Sequence, residues 1–531
     1  MPRISGPSLV RNGDDGPQDE RAARAAILSH TRSLIALAAR EANASSTFAA
    51  FERRLIAEVF ALGRAVLALF LLASERRVRA TLTERVVRDG VAFRRAPAQS
   101  RNLLTWFGVV RYRRTYLRQV GVTRGARGFH PLDADLGLLA DRVSPGLLSI
   151  AVRMATRMSF SEARDLLAWF VPTPPSTEVI ESALLGYGRH TQEWFESAPA
   201  PEGDGEVLVI QIDSKGVPTA TDEELRRRRG QRKRRKKTPS PRHRGRQSRE
   251  RRTKKPRRKK GDKAKNAKMG TMVVMYTLRR RGSLLLGPLH KRYYASFAPK
   301  RHAVEVARRE ATKRGFPPGT KRVVQVVTDG DNDLARYVAE LFPTALHTID
   351  VMHVVEKLWD AGSSVHREGT SECRDWVEAR KDELYAGRAR DIVGELDRQL
   401  ARIARTGPGN KFRREKLTAV REYIDKRVAH MNYDELLARD LELGTGPVEG
   451  AIKNLMGRRM DHGGMRWIKE RAEAVLQLRC IEANGDWEAF VKHVHDKTRA
   501  HAINTGSRVR LQQRHASPLP QSLAESQRDA A

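Results

Sequence analysis

The sequence predicts an α/β protein in which helices flank a mixed β-sheet, and two observations support this prediction. Apolar runs at 207–212 and 323–328 have the length and composition of buried strands. Around and between them, the patterns indicate strands at 271–278 and about 283–289 and a helix at 301–313, which gives a β-β-β-α-β order. A mixed sheet covered by helices accommodates that order.

The region before the sheet is predicted to be mainly helical. Residues 1–20 carry Pro, Gly and Asp without periodicity, which predicts disorder and no secretory signal. From 21 to 82, apolar residues recur at every third or fourth position, as in a helical hairpin. Residues 103–122 have a strand-like pattern in which aromatic residues and arginines are interspersed. Such strands either contact a DNA backbone or form a solvated edge sheet.

Residues 144–194 are predicted to be helical again. Ser159 and Glu162 have the spacing of a capping box, and Ser176 is placed to cap the next helix. Two helices joined by a short turn in a basic protein are typical of a helix-turn-helix that binds DNA. Helical hairpins without that function share the pattern, so both interpretations stay open here.

The charge of the chain predicts a polyanionic partner. Its 531 residues include 100 Lys and Arg against 63 Asp and Glu, so the formal net charge is +37. A bias of this size favours nucleic acid as the partner. Residues 226–268 contain 25 Lys and Arg, two acids and no large apolar residue, which predicts a disordered basic loop that tracks phosphates. A localisation-like tract is the alternative for such a run.

Neither a membrane span nor a disulfide framework is expected. The most apolar stretch, 55–72, contains Glu58 and Arg64 and is interpreted as a buried or dimerising helix, too short in apolar length to span a bilayer. Two cysteines occur, Cys373 and Cys480, which excludes a disulfide framework and a cysteine-rich zinc site. The expected location is therefore a reducing cytoplasm, with no membrane partner.

Two strand-end aspartates and one helical glutamate are the candidate catalytic acids. Asp213 and Asp329 directly follow the two apolar strands, and Glu449 lies near the start of an amphipathic helix after a glycine-rich segment. Asp331 competes with Asp329, although Asp331 more naturally caps the helix that follows. If the fold brings three carboxylates together, they can hold two divalent cations. The ordinary alternatives are a turn residue, a helix cap and a solvated surface acid.

Further polar residues are candidates for the same site. Asp350 and His353 are spaced i, i+3 and share one helical face, where they either orient DNA or water or serve as a helix cap and a core histidine. Residues 354–443, which follow, are polar and helical and predict a helical insertion. Four basic side chains could contact phosphates: Lys453, Arg458, Arg459 and Arg466.

Seven short motifs are spread over most of the chain. They are Asp213-Ser-Lys-Gly-Val217, Thr328-Asp-Gly330, Asp350-Val-Met-His353-Val-Val-Glu-Lys-Leu-Trp359, Gly444-Thr-Gly-Pro-Val-Glu-Gly450, Arg458-Arg459-Met460, Gly464-Met-Arg-Trp467 and Asn484-Gly-Asp-Trp487. With this set the chain resembles the DDE transposases of insertion sequences, specifically the ISKra4 family, from about residue 51 to 487. Residues 116–129 lack the paired cysteines that relatives often carry, and the basic loop 226–268 is longer than usual.

The resemblance implies an RNase H-like catalytic core and an active site that needs Mg²⁺ or Mn²⁺. It implies that Asp213, Asp329 and Glu449 bind the metal, with Asp350 and His353 as further catalytic residues. The implied reaction is cleavage and strand transfer at the terminal inverted repeats of an insertion sequence, into target DNA, by a homo-oligomer in a bacterial, nucleoid-associated setting. A catalytically inactive nucleic-acid-binding descendant and an RNase H-like nuclease without strand transfer are the alternatives.

The predicted organisation has seven segments. They are a disordered tail at 1–20, an N-terminal helical/β region at 21–130, a helix-turn-helix-like DNA-binding region at 131–200, the first part of the catalytic core at 205–353 with its disordered loop at 226–268, a helical insertion at 354–443, the final helices of the core at 444–497 and a disordered tail at 498–531.

Overall fold

The computed structural model of the chain describes two compact units. The described residues are 17, 19–44, 46–123, 127–138, 140–221, 223–226, 267–461 and 465–522. One unit comprises Met1–Trp194 and Gly485–Ser517, and the other comprises Phe195–Asn484 and Pro518–Ala531. Most of the predicted tail 1–20, nearly all of the basic loop 226–268 and the end of the chain from 523 lie outside the described residues.

The first unit contains a helical hairpin, a four-stranded antiparallel sheet and a group of shorter helices. Its elements are α1 (Glu20–Asn43), α2 (Phe48–Ala80), β1 (Arg85–Arg88), β2 (Val91–Thr105), β3 (Gly108–Gln119), β4 (Gly128–Phe129), α3 (Pro131–Asp135), α4 (Pro145–Arg157), α5 (Phe160–Leu167), α6 (Thr177–Gly188) and α7 (Thr191–Ser197). Leu71 of α2 packs against Leu103 and Val110 of the β2–β3 hairpin, so one face of the long helix covers the sheet.

The long helix α2 corrects one prediction from the sequence. By length and composition alone, α2 is long and apolar enough to cross a membrane, so the expectation that no stretch reaches this length is wrong. Glu58 and Arg64 interrupt the apolar residues of 55–72, but the mean hydropathy of the helix remains high enough for a membrane-crossing segment. Only 17% of its most apolar window is buried, which contradicts a buried helix but not the dimerising helix that was the other interpretation of this stretch.

Both predicted helix caps in the first unit are confirmed. The Ser159 amide donates to Glu162 Oε2 at 2.9 Å and the Glu162 amide donates to Ser159 Oγ at 3.2 Å, which is a capping box. Ser176 Oγ accepts the Val179 amide at 3.4 Å at the start of α6. The connection 168–176 between α5 and α6 is longer than the turn of about three to four residues in a helix-turn-helix.

The second unit contains the predicted mixed sheet. Its elements are β5 (Val207–Pro218), β6 (Ala267–Arg281), β7 (Leu284–Ser296), α8 (Lys300–Lys313), β8 (Val323–Thr328), α9 (Asn332–Leu341), β9 (Leu346–Ile349), α10 (Val351–Val365), α11 (Ser371–Tyr385), α12 (Ala389–Arg402), α13 (Asn410–Asp425), α14 (Tyr433–Ala438), α15 (Gly446–Ala451), α16 (Arg458–Met460) and α17 (Lys469–Ala483). The helix α18 (Trp487–Thr505) then returns to the first unit.

The sheet has the order β7-β6-β5-β8-β9 and confirms the prediction of a mixed sheet flanked by helices. β7, β6 and β5 pair in antiparallel fashion, whereas β5, β8 and β9 are parallel. One face of the sheet is apolar: Ile210 and Val326 pack there with Val304 of α8 and Leu334 of α9. The opposite face carries two buried glutamines, Gln211 and Gln325, and supports the site described below.

Several boundaries differ from the sequence-based expectation, since β6 spans Ala267–Arg281 and β7 continues to Ser296. β5 does not end before Asp213 but continues to Pro218, because β6 pairs with it as far as Ala267 opposite Pro218. The tail does not begin at 498, since α18 runs to Thr505 and Leu511 is buried in the first unit.

Candidate metal and catalytic centre

Three aspartates directly follow the parallel-paired residues of three adjacent strands: Asp213 lies within β5, and Asp329 and Asp350 follow the ends of β8 and β9. The β5–β8 pairing ends with Ile212 opposite Thr328, so the next residues, Asp213 and Asp329, are neighbours across the two strands. Thr328 is also opposite Ile349 of β9, and the Asp350 amide donates to the Thr328 carbonyl at 2.8 Å. Adjacent strands lie about 4.8 Å apart, so the register alone brings three carboxylates to one edge of the sheet.

Two buried glutamines anchor the segment before α15 to the sheet. Gln211 Oε1 accepts the Val448 amide at 3.1 Å, and Gln211 Nε2 donates to the Gly444 carbonyl at 3.1 Å. Gln325 makes a similar pair of hydrogen bonds with the backbone of Glu442, at 3.1 and 2.7 Å. Both glutamines are 0% exposed, so these bonds are shielded from water. α15 and its predicted catalytic glutamate are thereby held beside the strand ends.

Asp350 is the centre of a hydrogen-bond network that reaches Glu449. As the N-cap of α10, Asp350 accepts the Met352 amide on Oδ1 at 2.8 Å. Its Oδ2 accepts the Thr445 hydroxyl and amide, the latter at 3.2 Å, and lies 3.1 Å from His353 Nδ1. The Thr445 hydroxyl also lies 3.2 Å from Glu449 Oε1. One ligand atom from each of Asp350, His353 and Glu449 lies within 4.8 Å of the others, a group that could hold a metal ion.

The loop that carries Asp329 is held by α13 and the turn after it. The Tyr423 hydroxyl donates to the Asp329 carbonyl at 3.0 Å, and Arg427 Nε donates to the Gly330 carbonyl at 2.8 Å. Gly330 has φ +86°, and a Cβ there would lie 2.6 Å from the Tyr423 hydroxyl. Only glycine fits this close approach at a positive φ. Asp331 is the N-cap of α9 and accepts two amides of its first turn, which confirms its predicted capping role.

The carboxylates form a site with excess negative charge. Burial, opposed by the hydrogen bond from the Ser214 amide, raises the pKa of Asp213 to about 6. The neighbouring carboxylates of Asp329 and Glu449 also raise the pKa of Asp213. Like charges that share a buried site disfavour ionisation of one another, and an added cation removes this cost.

His353 supplies one positive charge to the cluster. The hydrogen bond with Asp350 raises the pKa of His353 to about 9, against the opposing effect of burial. For Asp350, burial acts to raise the pKa, but the hydrogen bonds from His353, Thr445 and the Met352 amide outweigh it and leave the pKa below its usual value. At neutral pH the pair is therefore an imidazolium beside a carboxylate.

The donor chemistry of the cluster fits a hard divalent cation. Carboxylate oxygens are the ligands that Mg²⁺ and Mn²⁺ prefer, and Asp213, Asp329 and Glu449 offer them from three elements. His353 would have to release its proton before its free ring nitrogen could bind a metal. The group of ligand atoms that lie within 4.8 Å of one another consists of Asp350, His353 and Glu449, and of the predicted metal ligands it contains Glu449 but neither Asp213 nor Asp329.

The four predicted phosphate-binding residues differ in their placement. Lys453 and Arg458 line a cavity of about 370 Å³ together with Asp213 and Glu449. Arg459 is 2% exposed and stacks over the Trp467 ring at 4.7 Å, so burial removes it from the surface that DNA could reach. Arg466 is exposed and does not line this cavity.

Several residues of the site were not singled out from the sequence. Gln211 and Gln325 carried a detectable signal, because an amide side chain inside an otherwise apolar strand must have buried hydrogen-bond partners. Thr445 stands in the Gly444–Gly450 motif, whereas Tyr423 and Arg427 carried no comparable signal, since their partners in the site lie more than 90 residues away in the chain.

Comparisons with known proteins leave the function to be inferred from the chain itself. No family model and no curated protein matches the sequence. One solved structure that is similar, described as the Drosophila P element transposase strand transfer complex, has 9% sequence identity and a TM-score of 0.21, over 75% of this chain and 88% of that chain. At this TM-score the similarity carries no weight for fold or function.

Proposed function

We propose that this chain is a DDE transposase, related to the ISKra4 family, that cleaves and joins DNA at the terminal inverted repeats of an insertion sequence. The observation that carries the proposal is the placement of Asp213 and Asp329 side by side at one sheet edge, with Glu449 held beside them on α15. The motifs around these three acids are those on which the family resemblance rests.

We also propose that the second unit is an RNase H-like core with an inserted helical segment. Support comes from the five-stranded sheet, in which three antiparallel strands are followed by two parallel ones. Residues 351–438 contribute helices α10 to α14 between β9 and the catalytic glutamate. This helical segment supplies Tyr423 and Arg427, which hold the Asp329 loop.

Asp213, Asp329 and Glu449 are the proposed ligands of Mg²⁺ or Mn²⁺, with Asp350 at their side. A bound pair of such ions supplies Lewis-acid stabilisation of the attacking and leaving oxygens in phosphodiester chemistry. The chain itself contributes orientation: Thr445 holds the Asp350 carboxylate and contacts Glu449, and the glutamine anchors fix α15. Because these side chains are already held in place, metal binding requires less loss of conformational entropy.

DNA is the proposed partner, as the terminal repeats and as the target. The net charge of +37 supports a polyanionic partner, and Lys453 and Arg458 beside the acids can contact backbone phosphates close to the scissile bond. Because transposition must hold two element ends together, we propose that the active form is a dimer or a larger homo-oligomer in the bacterial cytoplasm, at the nucleoid.

The proposal is tested with labelled DNA that carries the terminal repeats of the element. The native protein, Asp213→Asn and the control Asp333→Asn are each incubated with this DNA in Mg²⁺. Asp333 is a suitable control because it is an exposed acid on α9, four residues after Asp329. Cleavage at the repeat boundary and joined products from the native protein and the control, but not from Asp213→Asn, would support the transposase.

The other outcomes identify the two alternatives. Cleaved ends without joined products would indicate an RNase H-like nuclease. Equal DNA binding by all three proteins, with no metal-dependent cleavage, would indicate an inactive descendant that binds nucleic acid, and Asp213, Asp329 and Glu449 would then not be an active site.

A further inference from the structure

The first unit contains a cavity of about 880 Å³ that is lined by seven arginines and a single acid. The lining comes from β2 and β3, from the segment around α3, and from α18 and the residues after it. All of these residues belong to the first unit, whereas the carboxylate cluster belongs to the second. The cavity is therefore a separate site, and its properties do not depend on the proposed transposase function.

The floor of the cavity is a buried charge cluster with more positive than negative groups. Arg101 and Arg114 have side chains only 8% and 11% exposed, and Asp133 lies between them. Asp133 Oδ2 accepts Arg101 Nη1 at 2.8 Å and lies 3.0 Å from Arg114 Nε, while Asp133 Oδ1 accepts the Tyr112 hydroxyl at 2.8 Å. Arg101 also donates to the Asp141 carbonyl and interacts with the buried Asp141 carboxylate, so Arg114 is the less compensated of the two guanidinium groups. An uncompensated buried cation is costly, so the floor attracts an anion.

Buried polar atoms at this floor lack partners among the residues that the structure describes. Arg114 Nη1 is buried without a hydrogen-bond acceptor. His130 is 4% exposed, and its Nδ1 lies 3.0 Å from the Thr115 carbonyl, an acceptor, so Nδ1 carries the proton. His130 Nε2 is then an acceptor, and it has no partner within the described part of the chain. Burial, followed by the charge of Arg114, lowers the pKa of His130 to about 3, so the ring is neutral.

We propose that this cavity binds a compact phosphate-bearing anion. The fork of an arginine side chain matches the geometry of phosphate oxygens, and charge-assisted bonds of this kind are the strong ones. A phosphate also carries, when singly protonated, one hydroxyl that can donate to His130 Nε2. At neutral pH, sulfate-like and carboxylate anions can accept hydrogen bonds from the arginines but have no hydroxyl that donates to His130 Nε2. Phosphate therefore provides partners for more of the buried polar atoms at the floor.

The depth of the cavity favours a compact group over a continuous duplex backbone. Arg142 and Arg508 are exposed at the cavity, with Arg508 over the Tyr116 ring at 5.3 Å, whereas Arg101 and Arg114 are buried. The convex backbone of a duplex can reach the exposed pair but not the buried pair. The shared ligand chemistry is therefore a terminal or free phosphate, carried either by a small phosphorylated molecule or by the 5′ end of a DNA strand.

The experiment titrates the full-length chain with inorganic pyrophosphate in a calorimeter at fixed salt. Arg114→Gln tests the floor, and Arg113→Gln is the matched control, because Arg113 is the adjacent residue of β3, is exposed and does not line the cavity. Arg508→Gln is a second test variant. Because Arg508 is exposed, this substitution should not disturb the fold, so the proposal can still be tested if Arg114→Gln does not fold. Circular dichroism of each variant checks the fold.

We expect the native chain and Arg113→Gln to bind with one saturable site of equal affinity. Loss of one charge-assisted contact in Arg114→Gln or Arg508→Gln should weaken binding by about tenfold or more. Equal affinity in a folded test variant and in Arg113→Gln would overturn the proposal, because the anion would then be held by the general basic charge of the chain. Absence of saturable binding to the native chain would overturn it as well.

A second titration distinguishes the two sources of phosphate. Duplex oligonucleotides with a 5′-phosphate and with a 5′-hydroxyl are compared on the native chain and on Arg508→Gln. A gain in affinity from the 5′-phosphate that is lost in Arg508→Gln supports the cavity as a receptor for a DNA end. No such gain, together with pyrophosphate binding that depends on Arg508, supports the cavity as a receptor for a free phosphorylated molecule.

Discussion

The carboxylate cluster and the arginine cavity have opposite charge but share one physical property. Each gathers like charges that burial makes costly and holds an opposite charge among them: His353 in the acidic cluster and Asp133 in the basic cavity. They differ in construction. The acids stand in recognisable motifs, whereas the arginines reach their cavity from β2 and β3, from the segment before α4, and from α18 and the residues after it. In both regions the excess of like charge supports the proposed ligand site, but only the acidic site could be predicted from the sequence.

The largest expected effect comes from the acidic cluster. Asp213→Asn should lower metal-dependent DNA cleavage by roughly a thousandfold or more, since it removes several kcal/mol of transition-state stabilisation. Single-turnover cleavage of repeat-end DNA in Mg²⁺ measures the effect. If Asp213→Asn retained cleavage at the level of Asp333→Asn, the carboxylate cluster would not be the catalytic site.

A smaller effect is expected from the residue that holds the cluster together. Thr445→Val removes the hydroxyl that contacts Asp350 and Glu449, and loss of such a supporting contact weakens metal binding by roughly 10- to 100-fold. Calorimetric titration with Mn²⁺ measures it, with Thr418→Val, an exposed threonine of α13, as the control. Unchanged Mn²⁺ affinity in Thr445→Val would show that the cluster does not depend on this contact.

The glutamine anchor is expected to act on stability and on the site together. Gln211→Leu removes the side-chain donor to the Gly444 carbonyl and one of two acceptors of the Val448 amide, which also bonds the Thr445 carbonyl; this should lower the free energy of unfolding by about 1–3 kcal/mol. Urea denaturation measures the loss, and Mn²⁺ titration shows whether α15 has moved. A stability close to that of the native chain would mean that the segment before α15 is held by other contacts.

The smallest effect is a pH dependence of the metal-free protein. The folded pKa of His353, about 9, lies above its usual value of 6.5. The Asp350–His353 pair therefore stabilises the fold fully below pH 6.5, and this contribution is lost as pH rises through 9. In EDTA, the difference in melting temperature between the native chain and His353→Gln should shrink from pH 6 to pH 10. A constant difference over this range would contradict the raised pKa.

Sequence reasoning predicted local features well because they depend on neighbouring residues. β8 has the predicted bounds, α8 begins one residue earlier than expected, and Asp331 caps α9 as its position suggested. The continuous apolar runs at 207–212 and 323–328 also predicted that these strands would be buried. These features follow from the periodicity and capping preferences of short segments.

The remaining features depend on residues that are distant in the chain. Asp213 was expected at a strand end, but the antiparallel partner β6 extends β5 to Pro218, and that partner follows the basic segment. The arginine cavity combines β3 with Arg508, and no spacing rule connects positions so far apart. Arg459 matched a family motif and yet is buried against Trp467, because its burial is decided by packing rather than by its neighbours in sequence.

The pairing of Pro218 with Ala267 has a consequence for the length of the basic segment between them. Both ends of that segment are joined at the same rung of the β5–β6 ladder, so the chain between them closes a loop whatever its length. The entropy of loop closure grows only with the logarithm of loop length, and halving the segment changes it by about 0.6 kcal/mol. Insertions and deletions between 227 and 266 should therefore be nearly neutral for the fold of the sheet, so the length of this segment can change without a loss of stability.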